Sequence, residues 1–97
     1  MIGESQSIVN FELKERFYYL KLMDEADSYC WIDRNGDFHL MDDMELDYLQ
    51  KCIRKIEKDI KAFVQTRGDG EVVKTLKPMA EEKLKELRDV FQKKSLY

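Results

Sequence analysis

The stretch MELDYLQKCIRKIEKDIKAFVQT, residues 44–66, sets the frame for the whole chain. Leu46, Leu49, Ile53, Ile56, Ile60 and Phe63 recur at spacings of three and four, which puts them on one stripe of a helix. Read as heptads, Leu46, Ile53 and Ile60 take the a positions, and Leu49, Ile56 and Phe63 take d. Lys51, Arg54, Lys55, Lys58 and Lys61 fall on the opposite face. Asp42 or Asp43 is the expected N-cap, since a short acidic side chain there satisfies open backbone N–H groups and suits the helix dipole. The stop is Arg67-Gly68-Asp69-Gly70, where glycine permits the left-handed backbone that ends a helix.

Downstream, Val72, Val73, Leu76, Ala80, Leu84, Leu87 and Phe91 make a second amphipathic pattern. Proline fits best in a helix's first turn, so Pro78 allows a helix starting near Lys77; a single kinked helix from about Glu71 is the other reading. Either way, two helical segments joined by a short turn predict an antiparallel helical hairpin.

Upstream lies WIDRNGDFHLMDDM, residues 31–44, with acidic residues spaced around Asn35-Gly36. A calcium loop needs oxygen ligands at positions 1, 3 and 5 and a bidentate Glu at 12. Placing Gly36 at position 6 puts Trp31 at 1 and the shorter Asp42 at 12, so calcium fails. A β-hairpin over residues 29–41 fits better, because Asn-Gly is the preferred pair for a type I′ turn. Centring the turn there pairs Arg34 with Asp37, Asp33 with Phe38, Ile32 with His39 and Trp31 with Leu40. Trp31, Phe38 and Leu40 then share one face and pack on the helices.

The first part of the chain is ambiguous. FYYLKL has strong strand propensity, whereas Val9, Leu13, Phe17, Leu20 and Met23 form one helical face, favouring a helix over residues 8–27. Ser7 and Asn10 are candidate caps. That helix leaves Phe11, Tyr18 and Leu22 as a second apolar stripe. With Tyr19 they are the candidate partner or subunit interface, since exposed aromatic residues commonly anchor such contacts. The expected architecture is mainly α in one domain, residues 1–97: an N-terminal helix, a short β-hairpin and a two-helix hairpin.

Composition narrows function. Net charge is −3, yet residues 1–49 hold 4 Lys/Arg against 12 Asp/Glu, and residues 50–97 hold 13 against 8. A chain so polarised can attract copies of itself, so a homodimer is expected. No apolar run is long enough to span a bilayer, and MIGESQS lacks the features of a signal peptide, giving a cytoplasmic expectation. Cys30 and Cys52 are then expected as thiols. His39 is the single histidine, and a zinc site from Cys30, His39 and Cys52 would lack CxxC spacing and a fourth ligand. No P-loop, GxGxxG or HExxH is present. No enzyme, metal or cofactor is therefore expected.

Trp31, the Asn35-Gly36 turn, Met44, Tyr48-Leu49 and Ile53 resemble a pattern in small phage and prophage proteins of unassigned function. There a Trp and an Asp-Gly turn precede a short strand, a Met, a His-Leu pair and a basic-apolar helix. Here Tyr48 replaces the His, and Lys51 stands where an Asn often follows. The resemblance covers residues 31–56 and implies phage or mobile-element origin, with no activity attached.

The leading expectation is a non-enzymatic, phage-encoded module that binds and interferes with a host or defence protein in the host cytoplasm. The alternative is nucleic-acid binding through Lys51, Arg54, Lys55 and Lys58, which could follow a phosphate backbone. Against it, Glu57 and Asp59 interrupt the ridge and no aromatic residue is interleaved to stack a base. A sponge for a small nucleotide is a third reading, without a phosphate-cradling loop to support it.

Overall fold

The computed structural model describes residues 2–20 and 29–96, and the side chains of the first helix from Gln6 onward. Helix α1 is Ile2–Glu15, followed by a 3₁₀ turn at Tyr18–Leu20. Strands β1 (Cys30–Ile32) and β2 (Phe38–Leu40) pair antiparallel, and a second 3₁₀ turn, Met41–Asp43, leads into α2 (Leu46–Arg67) and α3 (Glu71–Ser95). The fold is mainly helical, with an N-terminal helix, a two-stranded hairpin and two packed helices, as expected.

Leu49, Ile56 and Phe63 of α2 are buried against Leu76, Ala80, Leu84 and Leu87 of α3. The a positions are less covered: Ile53 and Ile60 are half-buried and Leu46 is exposed. Cys52 is buried instead, so the core face is rotated toward residues 52 and 59, where the aromatic residues ahead of the helix cover it. Gly68, at φ +71°, ends α2, and its N–H donates to the Val64 carbonyl. Helix α3 runs unbroken from Glu71 through Pro78, whose ring is exposed, so it does not begin near Lys77.

Three expectations need correction. The N-cap of α2 is Glu45, not Asp42 or Asp43, which lie in the 3₁₀ turn. Met41 is still bound to Tyr29 by its N–H, and Met44 adopts extended backbone to bury its side chain, so the helix starts later.

The first helix begins at Ile2, which puts Ser7 and Asn10 inside it rather than at a cap. It ends at Glu15, where the Arg16 and Phe17 amides both donate to the Glu12 carbonyl. Phe17, Tyr19 and Leu20 are all buried. A helix turns 100° per residue and cannot bury all three on one face, so the chain leaves helical geometry. Met23 and Leu22 lie outside the described residues.

The hairpin register is one residue from that expected: Ile32 pairs with Phe38, Trp31 with His39 and Cys30 with Leu40. Asn35 does not adopt positive φ, whereas Gly36 sits at +89°. The Gly36 N–H donates to the Asp33 carbonyl, and Asp33 Oδ1 accepts the Asn35 and Asp37 amides at 2.9 Å. This is a three-residue loop, a type I turn completed by a left-handed glycine. A one-residue slip exchanges the faces of a strand. Trp31 is buried, while Phe38 and Leu40 are about half exposed rather than packed on the helices.

Candidate functional site

Tyr48, in the first turn of α2, stands between two surface grooves. The larger, about 410 Å³, runs between β2 and the start of α2, with Phe38, Leu40, Asp43, Glu45 and Tyr48 in its walls. The smaller, about 240 Å³, lies on the other side of Tyr48 and is lined by Tyr18, Arg34, Lys51, Lys55 and the edges of Trp31 and Asp33.

The first groove is apolar with an acidic rim. Phe38 is 50% exposed, Leu40 51% and nearby Leu46 38%, among exposed Asp37, Asp42, Asp43, Glu45 and Asp47. The ladder explains the placement. Hydrogen bonds from Asp33 N to Asp37 O and from Met41 N to Tyr29 O fix the bonded pairs. Alternation then puts Phe38 and Leu40 at non-bonded positions, with their peptide groups aimed away from β1. Strand β2 is the outer edge of a two-stranded sheet.

The hairpin is tied by side-chain contacts where it meets this groove. His39 Nε2 contacts Asp33 Oδ2 at 2.9 Å, and its ring packs edge-on against Tyr48. The His39 contact, helped by the Asp37 and Asn35 amides, holds the Asp33 carboxyl below its usual range. Asp33 therefore stays ionised and His39 is engaged as its partner. Tyr29 takes φ +61°, unusual for a side-chain-bearing residue, with its N–H donating to Glu86 Oε1. Buried Lys83 bridges Glu86 Oε1 and the Cys30 carbonyl, both at 3.0 Å, pinning this end of the hairpin to α3.

The expected interface residues separate. Tyr19 is core: its ring stacks on Trp31 at 4.6 Å, and its hydroxyl donates to Asp59 at 2.8 Å. Burial first, then the Asp59 charge, pushes its hydroxyl far above the ordinary range, so it remains protonated. Tyr18 is half-buried with two cations over its ring, Lys55 Nζ at 5.0 Å and Arg34 Cζ at 5.3 Å. Phe11 is 55% exposed on α1. Leu22 lies outside the described residues.

The basic ridge also changes. Lys51, Arg54 and Lys58 are exposed, but Lys55 turns inward to pair with Asp59 at 2.8 Å. Cys30 and Cys52 are buried and not joined by a disulfide, and burial pushes the Cys52 thiol up to about 12. Sequence reading missed Arg34 and Tyr48. Tyr48, Lys51, Cys52 and Lys55 are spaced i, i+3, i+4, i+7, a legible helix face. Nothing in the sequence brings Arg34 and Tyr18 beside it.

Comparison with protein-family models, curated proteins and solved structures finds no match, so the functional reading rests on this geometry.

Proposed function

We propose that the protein is a non-enzymatic interaction module that holds a protein partner along β2, in the groove between that strand and α2. The observation that carries this is the pair of half-exposed apolar side chains, Phe38 and Leu40, on an outer strand inside an acidic rim. An edge strand with outward peptide groups can accept an added strand, which provides backbone hydrogen bonds while the side chains supply specificity. The acidic rim selects a basic, apolar segment and speeds its encounter. The resemblance of residues 31–56 to small phage proteins supports a phage-encoded module whose target is a host or defence protein in the host cytoplasm.

The test is affinity capture from bacterial lysate with the wild type and with Phe38→Asp/Leu40→Asp. The expected result is one stoichiometric partner, released by raised salt and lost with the double variant while its circular dichroism is unchanged. Equal recovery by both baits, or no stoichiometric partner, would sink the reading.

A second copy of the chain is the other partner favoured by an observation, the exposed cations Lys51, Arg54 and Lys58 in a chain whose N-terminal half is acidic. A two-fold dimer would use both surfaces twice. Sedimentation should then show two chains, and Phe11→Glu with Tyr18→Glu should shift it toward one. A folded monomer at micromolar concentration would remove the dimer and leave the host-partner reading standing.

A further inference from the structure

We infer that the smaller groove is a binding site for one nucleotide unit of a single-stranded nucleic acid, with the base on Tyr18 and the phosphodiester between Arg34 and Lys51. It is separate from the β2 groove and does not rest on the reading given for that groove.

Three observations converge. The first is chemical: this groove interleaves aromatic rings, Tyr18 and Tyr48, with the cations Arg34, Lys51 and Lys55. Sequence-tolerant single-strand sites use this combination, because every base presents a π face and every unit carries a phosphate. The second is availability. Among the described residues, Arg34 and Lys51 make no ion pair, and both are exposed; Arg34 lies over the Tyr18 ring, Cζ 5.3 Å from its centroid, and leaves that face to the base as it turns to the phosphate. Lys55 is different: held between Asp59 and the Tyr18 ring, it fixes the ring in place.

The third is charge balance. Arg34, Lys51 and Lys55 face the carboxylates of Asp33 and Asp59, leaving one net positive charge. The Asp33 oxygens are already occupied by His39 and the loop amides. A site of this charge matches a monoanionic phosphodiester better than a terminal di- or triphosphate. Its volume, about 240 Å³, is just below the usual range for small-molecule pockets and suits a single base. Bases in a duplex are stacked on each other and cannot lie on Tyr18.

The experiment is fluorescence anisotropy of a labelled ten-nucleotide oligothymidylate at low salt, with unlabelled duplex, thymidine monophosphate and inorganic phosphate as competitors. Arg34→Glu/Lys51→Glu should weaken binding at least tenfold and lower the slope of log affinity against log salt by about 1.4, two phosphates at ~0.7 each. Tyr18→Leu should weaken it roughly tenfold with the slope unchanged, since stacking rather than charge is lost. Lys74→Glu/Lys85→Glu, with the same charge change on exposed α3 positions, should stay within twofold. Circular dichroism confirms that each variant is folded.

Effective competition by thymidine monophosphate would assign the groove to a free nucleotide of the same base-plus-phosphate chemistry. The inference is overturned if the oligonucleotide does not bind, if duplex competes equally, if inorganic phosphate displaces it as well as the nucleotide does, or if the α3 control loses as much as the groove variant.

Discussion

Helices α2 and α3 are joined by a long apolar seam, whereas the segment from α1 to the hairpin adds directional polar contacts to its own buried apolar side chains, Phe17, Tyr19, Leu20 and Trp31. In the seam, Leu49, Ile56 and Phe63 meet Leu76, Ala80, Leu84 and Leu87, and no single pair dominates. On the other side, Glu12 of α1 is almost fully buried; its Oε2 accepts from Arg67 Nη2 at 2.9 Å and Nε at 3.2 Å, and Arg16 Nε forms an ion pair with Oε1 at 3.2 Å. Lys83 and Glu86 clasp the start of β1, Tyr19 reaches Asp59, and Lys94 Nζ donates to the Met44 carbonyl. Apolar contacts are non-directional and share a loss among neighbours, but a buried charge that loses its partner cannot be resolvated. The two regions should therefore fail differently.

The largest effect belongs to the residue where both regions meet. Phe63 lies in the seam and its ring packs edge-on against Phe17 at 5.0 Å. Phe63→Ala should lose about 3–5 kcal/mol in urea unfolding, with one cooperative transition. Two separate transitions would show that the regions are independent units.

Next comes the clasp. Lys83→Met leaves the buried Glu86 without its cation, though the Tyr29 N–H still donates to it, and should lose about 3 kcal/mol. Lys83→Met/Glu86→Leu should recover more than half of that, because no orphaned charge remains. A double variant worse than the single one would mean that the clasp, like the seam, is governed by shape.

Gly36→Ala should lose about 1–2 kcal/mol. A Cβ there meets nothing within 4 Å, so the loss comes from the left-handed backbone alone. Amide exchange should rise in the hairpin and hardly at all in the α2–α3 seam.

Acid titration separates the regions without mutation. The folded Asp33 carboxyl is below its ordinary value of 3.8, so its contribution is complete above that value and lost as pH falls through the folded one. The stability difference between wild type and Asp33→Ala should shrink over that acid window, and a constant difference would remove the proposed cap. The smallest effect is Arg88→Ala. Its 2.6 Å pair with Glu57 crosses the seam with both partners about half exposed, so it should change stability by less than ~1 kcal/mol.

This contrast also explains what could be read from the residues alone. The α2–α3 seam was legible because apolar side chains at spacings of three and four have one simple arrangement. The hairpin was legible in existence but not in register: Asn35-Gly36 suits two loop types, and the Asp33 carboxylate capping two amides decides between them. The YYL turn was hidden because an aromatic run is compatible with strand, helix and core. Lys83 and Glu86, three residues apart, carry no sequence signal of their burial. Of the smaller groove, only the α2 face bearing Tyr48, Lys51 and Lys55 follows from periodicity, while Arg34 arrives from the hairpin loop and Tyr18 from the 3₁₀ turn, whose paths the sequence does not dictate.

Because Tyr48 forms part of both grooves, occupancy on one side cannot be energetically indifferent to a turn of that ring. A protein segment along β2 that moves the ring reshapes the wall beside Lys51. By linkage, a nucleotide on that side must then alter the segment's affinity by the same factor. A tenfold factor corresponds to ~1.4 kcal/mol, within the energy of an aromatic contact. One side chain thus suffices to make the two proposed ligands of a 97-residue chain competitive or cooperative without any change of fold.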